Sequence, residues 1–285
     1  MTRLGLLHST IRGEEKLLLQ AARERSVEIE LIDIRDQLLN PDIFQLNFAV
    51  ALERSVSTTK GNYAVQFLES QSVPVVNSSR VAAICADKFL TSLALAKNGV
   101  PTPQFAMVFS LEQAVAATEQ LGGYPVIVKP ALGSWGRLLS KVNDIDALET
   151  LIEHKEVLGG PAQKAFYLQQ YVPKPGRDIR AFVIGGQTIG AIYRSSSHWI
   201  TNTARGGTAS NCPLSKELEN ICRQSSQAVG GGVLAIDVFE TDDGLSVNEV
   251  NHTMEFKNSE APTKVSISGA IIEYCLEVAQ GSTQR

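Results

Sequence analysis

At 285 residues the chain has enough length for a substantial core and for more than one folding unit, since a single core rarely grows beyond ~250 residues. Its net charge of −4 argues against general nucleic-acid binding, because no global positive field is present to attract phosphates. No apolar run approaches the ~18 residues of a membrane span, and the start "MTRLGLLHST" lacks the pattern of a secretion signal, so a soluble, cytoplasmic protein is expected.

The first eighty residues read as a strand at "LGLLH", a helix after Arg12, strands at "VEIELIDI" and "FAVALE", a helix from about Thr58 and a short strand at "VPVV". Strands and helices alternating at these lengths predict a parallel sheet with helical crossovers. The two familiar nucleotide fingerprints, Gly-x-Gly-x-x-Gly and Gly-x-x-x-x-Gly-Lys-Ser/Thr, are both absent. Next, "NSSRVAAICADKFLTSLALAKNGVP" predicts a helical stretch capped by Ser78 or Ser79 and stopped by Gly99 and Pro101. A strand at "QFAMVF", a helix from Ser110 to about Leu121, the strand "YPVIVKP" and the glycine loop "ALGSWGRLLSKV" complete a second unit. From Gln169 onward the pattern becomes strands joined by turns: "DIRAFVIGGQTIGAIYR", the loop "SSSHWITNTARGGTASN", a helix at "LSKELENICRQSSQAVG" and the pair "VLAIDVFETDDGLSVNEVN". The expected fold class is α/β and α+β, with three units at residues 1–83, 84–170 and 171–285.

Cys85, Cys212, Cys222 and Cys275 are widely spaced without a Cys-x-x-Cys pair, which predicts reduced, structural thiols rather than a zinc site or disulfide framework.

The final strand pair carries the strongest chemical signal. Side chains two apart share a strand face, so Glu249 and Asn251 point the same way where apolar residues are due. Reading Asp242-Asp243-Gly244 as a three-residue hairpin loop pairs Thr241 with Leu245 and hence Asp237 with Glu249. Asp237 interrupts the apolar run "VLAIDVF". Two close, partly buried carboxylates repel unless a cation intervenes, and Mg²⁺ suits one or two carboxylates plus nucleotide phosphates and water. The plainer alternative is a hairpin with exposed carboxylates at its end.

Lys129 ends the strand "VIVK" directly before "PALGSWG", where glycines let backbone amides turn toward an anion. A solvated lysine after a strand is the other reading. Arg180 and Arg194 flank the Gly185-Gly186 turn, which sets them on neighbouring strands suited either to phosphate and carboxylate recognition or to cross-strand ion pairs. "HWITNTARGG" gathers His198, Asn202 and Arg205 in a polar loop. His198 has no metal-ligand partner at suitable spacing, and His252 reads as an orienting or structural residue.

Lys88, Lys129, "GSWGR", "LQQYV", "GRDIR", Arg194, "TNTARGG", Asp237 and "NEVN", in this order and through most of the chain, resemble the ATP-grasp ligases. More narrowly, "KPALGSWGRLLSKV", "HKEVLGG", "KPGRDIRAFV", "HWITNTARGG" and "VNEVNHTMEFKNS" resemble the LysX enzymes of lysine biosynthesis. The resemblance implies a pre-ATP-grasp domain followed by two domains that hold ATP between their sheets. It implies Lys88 and Lys129 at the ATP phosphates, Gly133, Ser134, Trp135, Gly136 and Arg137 as a loop over them, and Gln170, Tyr171 and Val172 at adenine. Asp237, Glu249 and Asn251 would hold Mg²⁺; Arg180, Arg194 and Asn202 would stabilise the reacting groups; His198, Arg205 and Asn258 would meet substrate. The implied reaction joins α-aminoadipate, or alternatively glutamate, to the C-terminal glutamate of a small acidic amino-group carrier protein, or else glutamate to another protein acceptor, and the enzyme is expected to be a homo-oligomer.

Overall fold

The computed structural model describes residues 3–133, 138–201 and 206–281. The chain opens with β1 (Arg3–His8), α1 (Gly13–Glu24), β2 (Glu28–Asp33), β3 (Val50–Glu53), α2 (Thr58–Ser70) and β4 (Val75–Val76). These strands form the expected parallel sheet in the order β2-β1-β3-β4. Leu4, Leu6 and Leu7 are all buried, so β1 is covered on both faces, as strands of parallel sheets are.

The helical stretch that follows is two helices, α3 (Ser79–Ala86) and α4 (Lys88–Lys97). Ser78 caps the first, as expected. Asp87 breaks the run: its backbone is extended (φ −112°, ψ 120°), it bridges to Leu132, and its carboxylate caps α4 by accepting from the Phe89 and Leu90 amides. The break makes Lys88 the first residue of α4 and buries it, whereas one continuous helix would leave a lysine free to face solvent.

A second sheet is built from β5 (Phe105–Val108), β6 (Val126–Lys129), β7 (Ser140–Val142) and β8 (Phe166–Gln170), in the antiparallel order β5-β8-β6-β7. Helices α5 (Leu111–Gln120) and α6 (Ile145–Leu158) cover it, enclosing a core of its own around Val126, Leu148, Ile152, Phe166 and Leu168.

The third sheet runs β11-β10-β9-β12-β13, from β9 (Arg177–Ile184), β10 (Gln187–Ser195), β11 (Thr208–Asn211), β12 (Val233–Thr241) and β13 (Gly244–Asn251). Strand β11 lies inside the segment expected to be loop; its side chains are mostly exposed, and an edge strand of that kind carries no apolar alternation to betray it. Helix α7 (Lys216–Val229) packs Leu218, Ile221, Cys222 and Val229 against one face. After α8 (Glu260–Thr263), helix α9 (Ile267–Ala279) lies on the other face, where its Ile267, Ile271 and Ile272 share one core with Leu4 and Leu6 of β1 and Phe182 and Ile184 of β9. The first and third sheets are therefore fused through α9. All four cysteines are buried free thiols, as the spacing predicts. Among the described residues no helix is long and apolar enough to cross a membrane.

Candidate active site

Antiparallel pairing brings one row of charged residues to a single face of the third sheet. Arg194 of β10 lies opposite Asp178 of β9, Arg180 of β9 opposite Asp237 of β12, and Asp237 opposite Glu249 of β13. The Asp237–Glu249 pairing is the one expected, but the turn differs. Thr241 pairs with Gly244 across a two-residue loop, and the extra residue sits in the ladder as a bulge at Asn248.

The row is knitted by ion pairs. Arg180 Nε and Nη2 donate to the two oxygens of Asp237 at 2.8 and 2.9 Å. Arg194 Nε donates to Asp178 Oδ1 at 2.7 Å, and its Nη2 lies 3.1 Å from Asp237 Oδ2. Burial pushes the Asp237 carboxyl up, but the Arg180 and Arg194 guanidiniums outweigh it and hold the group at about 2. The arginines are cross-strand ion-pair partners, and Arg194 also stands in a cleft.

That cleft, of about 810 Å³, opens between the second and third sheets. Gln170, Tyr171 and Val172, at and beyond the end of β8, line it together with Lys88, Lys129, Lys174, Arg194, Asp237 and Glu249. Lys88 Nζ donates to the Gly133 carbonyl at 2.6 Å and lies 3.3 Å from Glu249 Oε1. Lys129 is 5% exposed, so it is no solvated strand-end lysine, and its Nζ donates to Asn248 Oδ1 at 3.1 Å. Burial pushes Lys129 down to about 8; Glu249 opposes that, while Lys88 and Lys174 add to it. Three buried or half-buried ammonium groups lined up in one cleft await a polyanion.

Lys174, Asp178, Thr201 and Asn248 escape the sequence reading. Lys174 Nζ donates to Thr201 Oγ1 at 2.9 Å, and Thr201 in turn donates to Asp178 Oδ2. A usable signal existed for one of them. Asp178 and Arg180 alternate at period two on β9, just as Glu249 and Asn251 do on β13.

A second cavity, of about 1430 Å³, lies against the first sheet and shares Gly133, Asp237 and Glu249 with the cleft as a common wall. Arg180, Asn251 and His252 also line it. His252 is pushed down to about 4 by burial and by the Arg54 charge, in keeping with a structural role. His198 is exposed and its Nδ1 accepts from the Ile200 amide; neighbouring Trp199, not His198, lines the cleft. Asn258 is exposed and outside the walls of both cavities. Ser134 to Arg137, Asn202 and Arg205 fall outside the described residues.

Asp237, Glu249 and Asn251 fit the donor set magnesium favours, two carboxylates and an amide oxygen. Asn251 supplies the telling observation: its Nδ2 is buried without a partner among the described residues, and turning the amide over presents an oxygen there instead. Among the described residues no cluster of three or more His, Cys, Asp or Glu side chains offers a rival metal site.

Comparison with known proteins agrees with this geometry. A RimK-like ATP-grasp domain model matches residues 85–275, and a LysX preATP-grasp domain model matches residues 4–84. A glutamate–LysW ligase, ArgX, of Sulfurisphaera tokodaii is 36% identical over 96% of this chain and 98% of its own length. An alpha-aminoadipate–LysW ligase, LysX, of Saccharolobus solfataricus is 33% identical over 93% of this chain and 98% of its own. The crystal structure of a RimK domain ATP-grasp protein from Sphaerobacter thermophilus superposes with a TM-score of 0.81 at 28% identity, covering 96% of this chain and all of that one. With its parallel N-terminal sheet and its lysine-lined cleft between two antiparallel sheets, the chain belongs to the RimK-like ATP-grasp family.

Proposed function

We propose that this chain, an ATP-dependent ligase, joins the amino group of α-aminoadipate to the C-terminal glutamate side chain of a small acidic amino-group carrier protein in cytoplasmic lysine biosynthesis. The observation that supports it best is the common wall: a cleft lined with ammonium groups and a roomier cavity meet at Asp237 and Glu249. Glutamate stands beside α-aminoadipate as a second reading, because the ArgX relative is slightly more similar than the LysX relative.

In this reading Lys88, Lys129 and Lys174 hold the ATP phosphates, Gln170 to Val172 meet adenine, and the loop from Gly133 to Arg137 covers the reacting end. The carrier carboxylate attacks the γ-phosphorus and displaces ADP, giving an acyl phosphate. The deprotonated amine then attacks the acyl carbon, phosphate leaves, and the amine's second proton departs, which completes the isopeptide bond. Arg180, Arg194 and Asn202 stabilise the oxygens that gain charge. A magnesium ion held by Asp237, Glu249 and Asn251 would supply charge neutralisation at the phosphates.

The deciding experiment measures ADP release with Mg-ATP and a small acidic carrier ending in glutamate, in the presence of α-aminoadipate, glutamate or neither. Stimulation by α-aminoadipate with a matching mass gain on the carrier supports the first reading, and preference for glutamate supports the second. No stimulation by either rejects both.

A further inference from the structure

The chain leaves β1 toward β2 on one side of the first sheet and later returns to β3 on the other. A crevice therefore opens between the carboxyl ends of β1 and β3, the place where parallel α/β sheets take ligands. Here that crevice is the outer part of the 1430 Å³ cavity. Arg12 lines it from just beyond β1, and Ser55, Thr58 and Thr59 line it from just beyond β3.

Arg12 gives it a fixed cation, beside Glu53 and Glu255, which line the same cavity. Arg12 Nε and Nη2 donate to Glu15 at 3.0 and 2.9 Å, and Nη2 also reaches the Arg54 carbonyl at 3.3 Å, so the guanidinium is held in place before any ligand arrives. Arg54 Nε donates to the same Glu15 carboxylate at 3.1 Å. Two guanidiniums thus share one carboxylate. Helix α2 starts at the same spot. Its cap Ser57 accepts from the Lys60 amide, the third of the helix, which leaves the Thr58 and Thr59 amides to the crevice at the positive end of the helix dipole. Between them, Ser55 is 5% exposed, and its hydroxyl has no hydrogen-bond partner among the described residues. Burial pushes the Glu53 carboxyl up, while its hydrogen bonding with Ser55 and the charges of Arg54 and Arg12 oppose that.

We infer that this crevice seats the small amino-acid substrate by its side-chain carboxylate, on Arg12 and the first amides of α2, so that the amino group is directed at the Asp237–Glu249 wall. The inference rests on the ligase reading and adds to it the residues that select a dicarboxylic amino acid. The same cavity is also lined by Arg180, Asp237 and Glu249, so a substrate bound on Arg12 shares one cavity with the wall at which it would react.

The test uses the full-length enzyme with Mg-ATP and the carrier. Two variants are compared with wild type, R12Q and T59E. Thr59 is exposed, and an acidic residue in the first turn favours the helix, so T59E is expected to fold even if R12Q does not. Each variant should raise the KM for glutamate and α-aminoadipate about tenfold or more, with kcat and the KM for ATP within about twofold of wild type. Wild type should also prefer glutamate over glutamine, whose carboxamide carries no charge, and R12Q should lose that preference. Unchanged amino-acid KM in T59E, or preserved discrimination against glutamine in a folded R12Q, overturns the assignment. If wild type turns over neither amino acid, the ligase reading fails by itself, and calorimetric titration of both amino acids into wild type and T59E tests the crevice separately. Binding weakened in T59E supports the crevice, and binding equal or absent in both proteins removes it.

Discussion

Lys129 sits nearly solvent-free among two other ammonium groups, and its chemistry has a measurable pH signature. Below pH 8 it is charged, as the proposed phosphate partner needs; above 8 the free enzyme loses that proton, and in the proposed reading nucleotide binding would have to restore it. Affinity for ATP should therefore fall above pH 8 by up to about tenfold per pH unit until Lys129 would titrate in the complex. Calorimetry in buffers of different ionisation enthalpy reads the proton uptake directly, and a flat affinity from pH 7 to 9.5 would count against Lys129 as a phosphate partner. Glu249 calls for a different measurement. E249Q keeps the shape of the side chain 3.3 Å from Lys88 but removes its charge, so turnover should drop on the order of 10²- to 10³-fold while circular dichroism and melting stay close to wild type. Near-normal turnover would remove Glu249 from the reacting centre.

Elements are tied to one another by a few side chains, Asn77 above all. It follows β4, and its Nδ2 donates to the Val233 carbonyl at 2.8 Å and the His252 carbonyl at 2.6 Å, while its Oδ1 accepts from the Val233 amide at 2.7 Å. One buried amide thereby joins the edge of the first sheet to the start of β12 and the end of β13. Gly232 shows how close the approach is: a Cβ there would come within 2.0 Å of Asn77 Oδ1, at a backbone φ of +100° that suits glycine. N77A should cost about 3 kcal/mol in chemical denaturation, because it strands buried backbone groups. A loss below about 1 kcal/mol would show that water replaces the amide without penalty. Element scale is also where the sequence was most and least legible. The parallel first sheet followed from alternation, and the Asp237–Glu249 pair followed from strand parity. The sequence alone puts the extra residue of that hairpin in the turn rather than at Asn248; either position shifts the ladder by one, so the same pair follows and the bulge stays hidden. The break at Asp87 was invisible for a physical reason: its bridge to Leu132 is a tertiary contact, and "CADKFL" read locally is good helix. Lys174 and Thr201 were missed because what makes them part of the site is the partner each one meets, and those partners are distant in sequence or separated by a loop.

At the scale of the whole molecule, the cleft has jaws of unlike construction. One jaw is the second sheet with its private core around Phe166 and Leu148; the other belongs to the fused body in which α9 joins the first and third sheets. The wall of Gly133, Asp237 and Glu249, which the cleft and the larger cavity have in common, sets a bookkeeping rule for the reaction. In the proposed mechanism an activated carboxyl made against that wall would be consumed against it, so the ratio of ligated carrier to ADP formed would be a property of the wall alone. Substitutions away from the wall, at Tyr171 or at Arg12, should raise the KM of a substrate yet keep one ligation per ADP. Substitutions on the wall should let ADP accumulate faster than product, and parallel counts of ADP and modified carrier would show it. Efficiency and speed in this molecule are thereby written in different residues, and a variant can lose either while retaining the other.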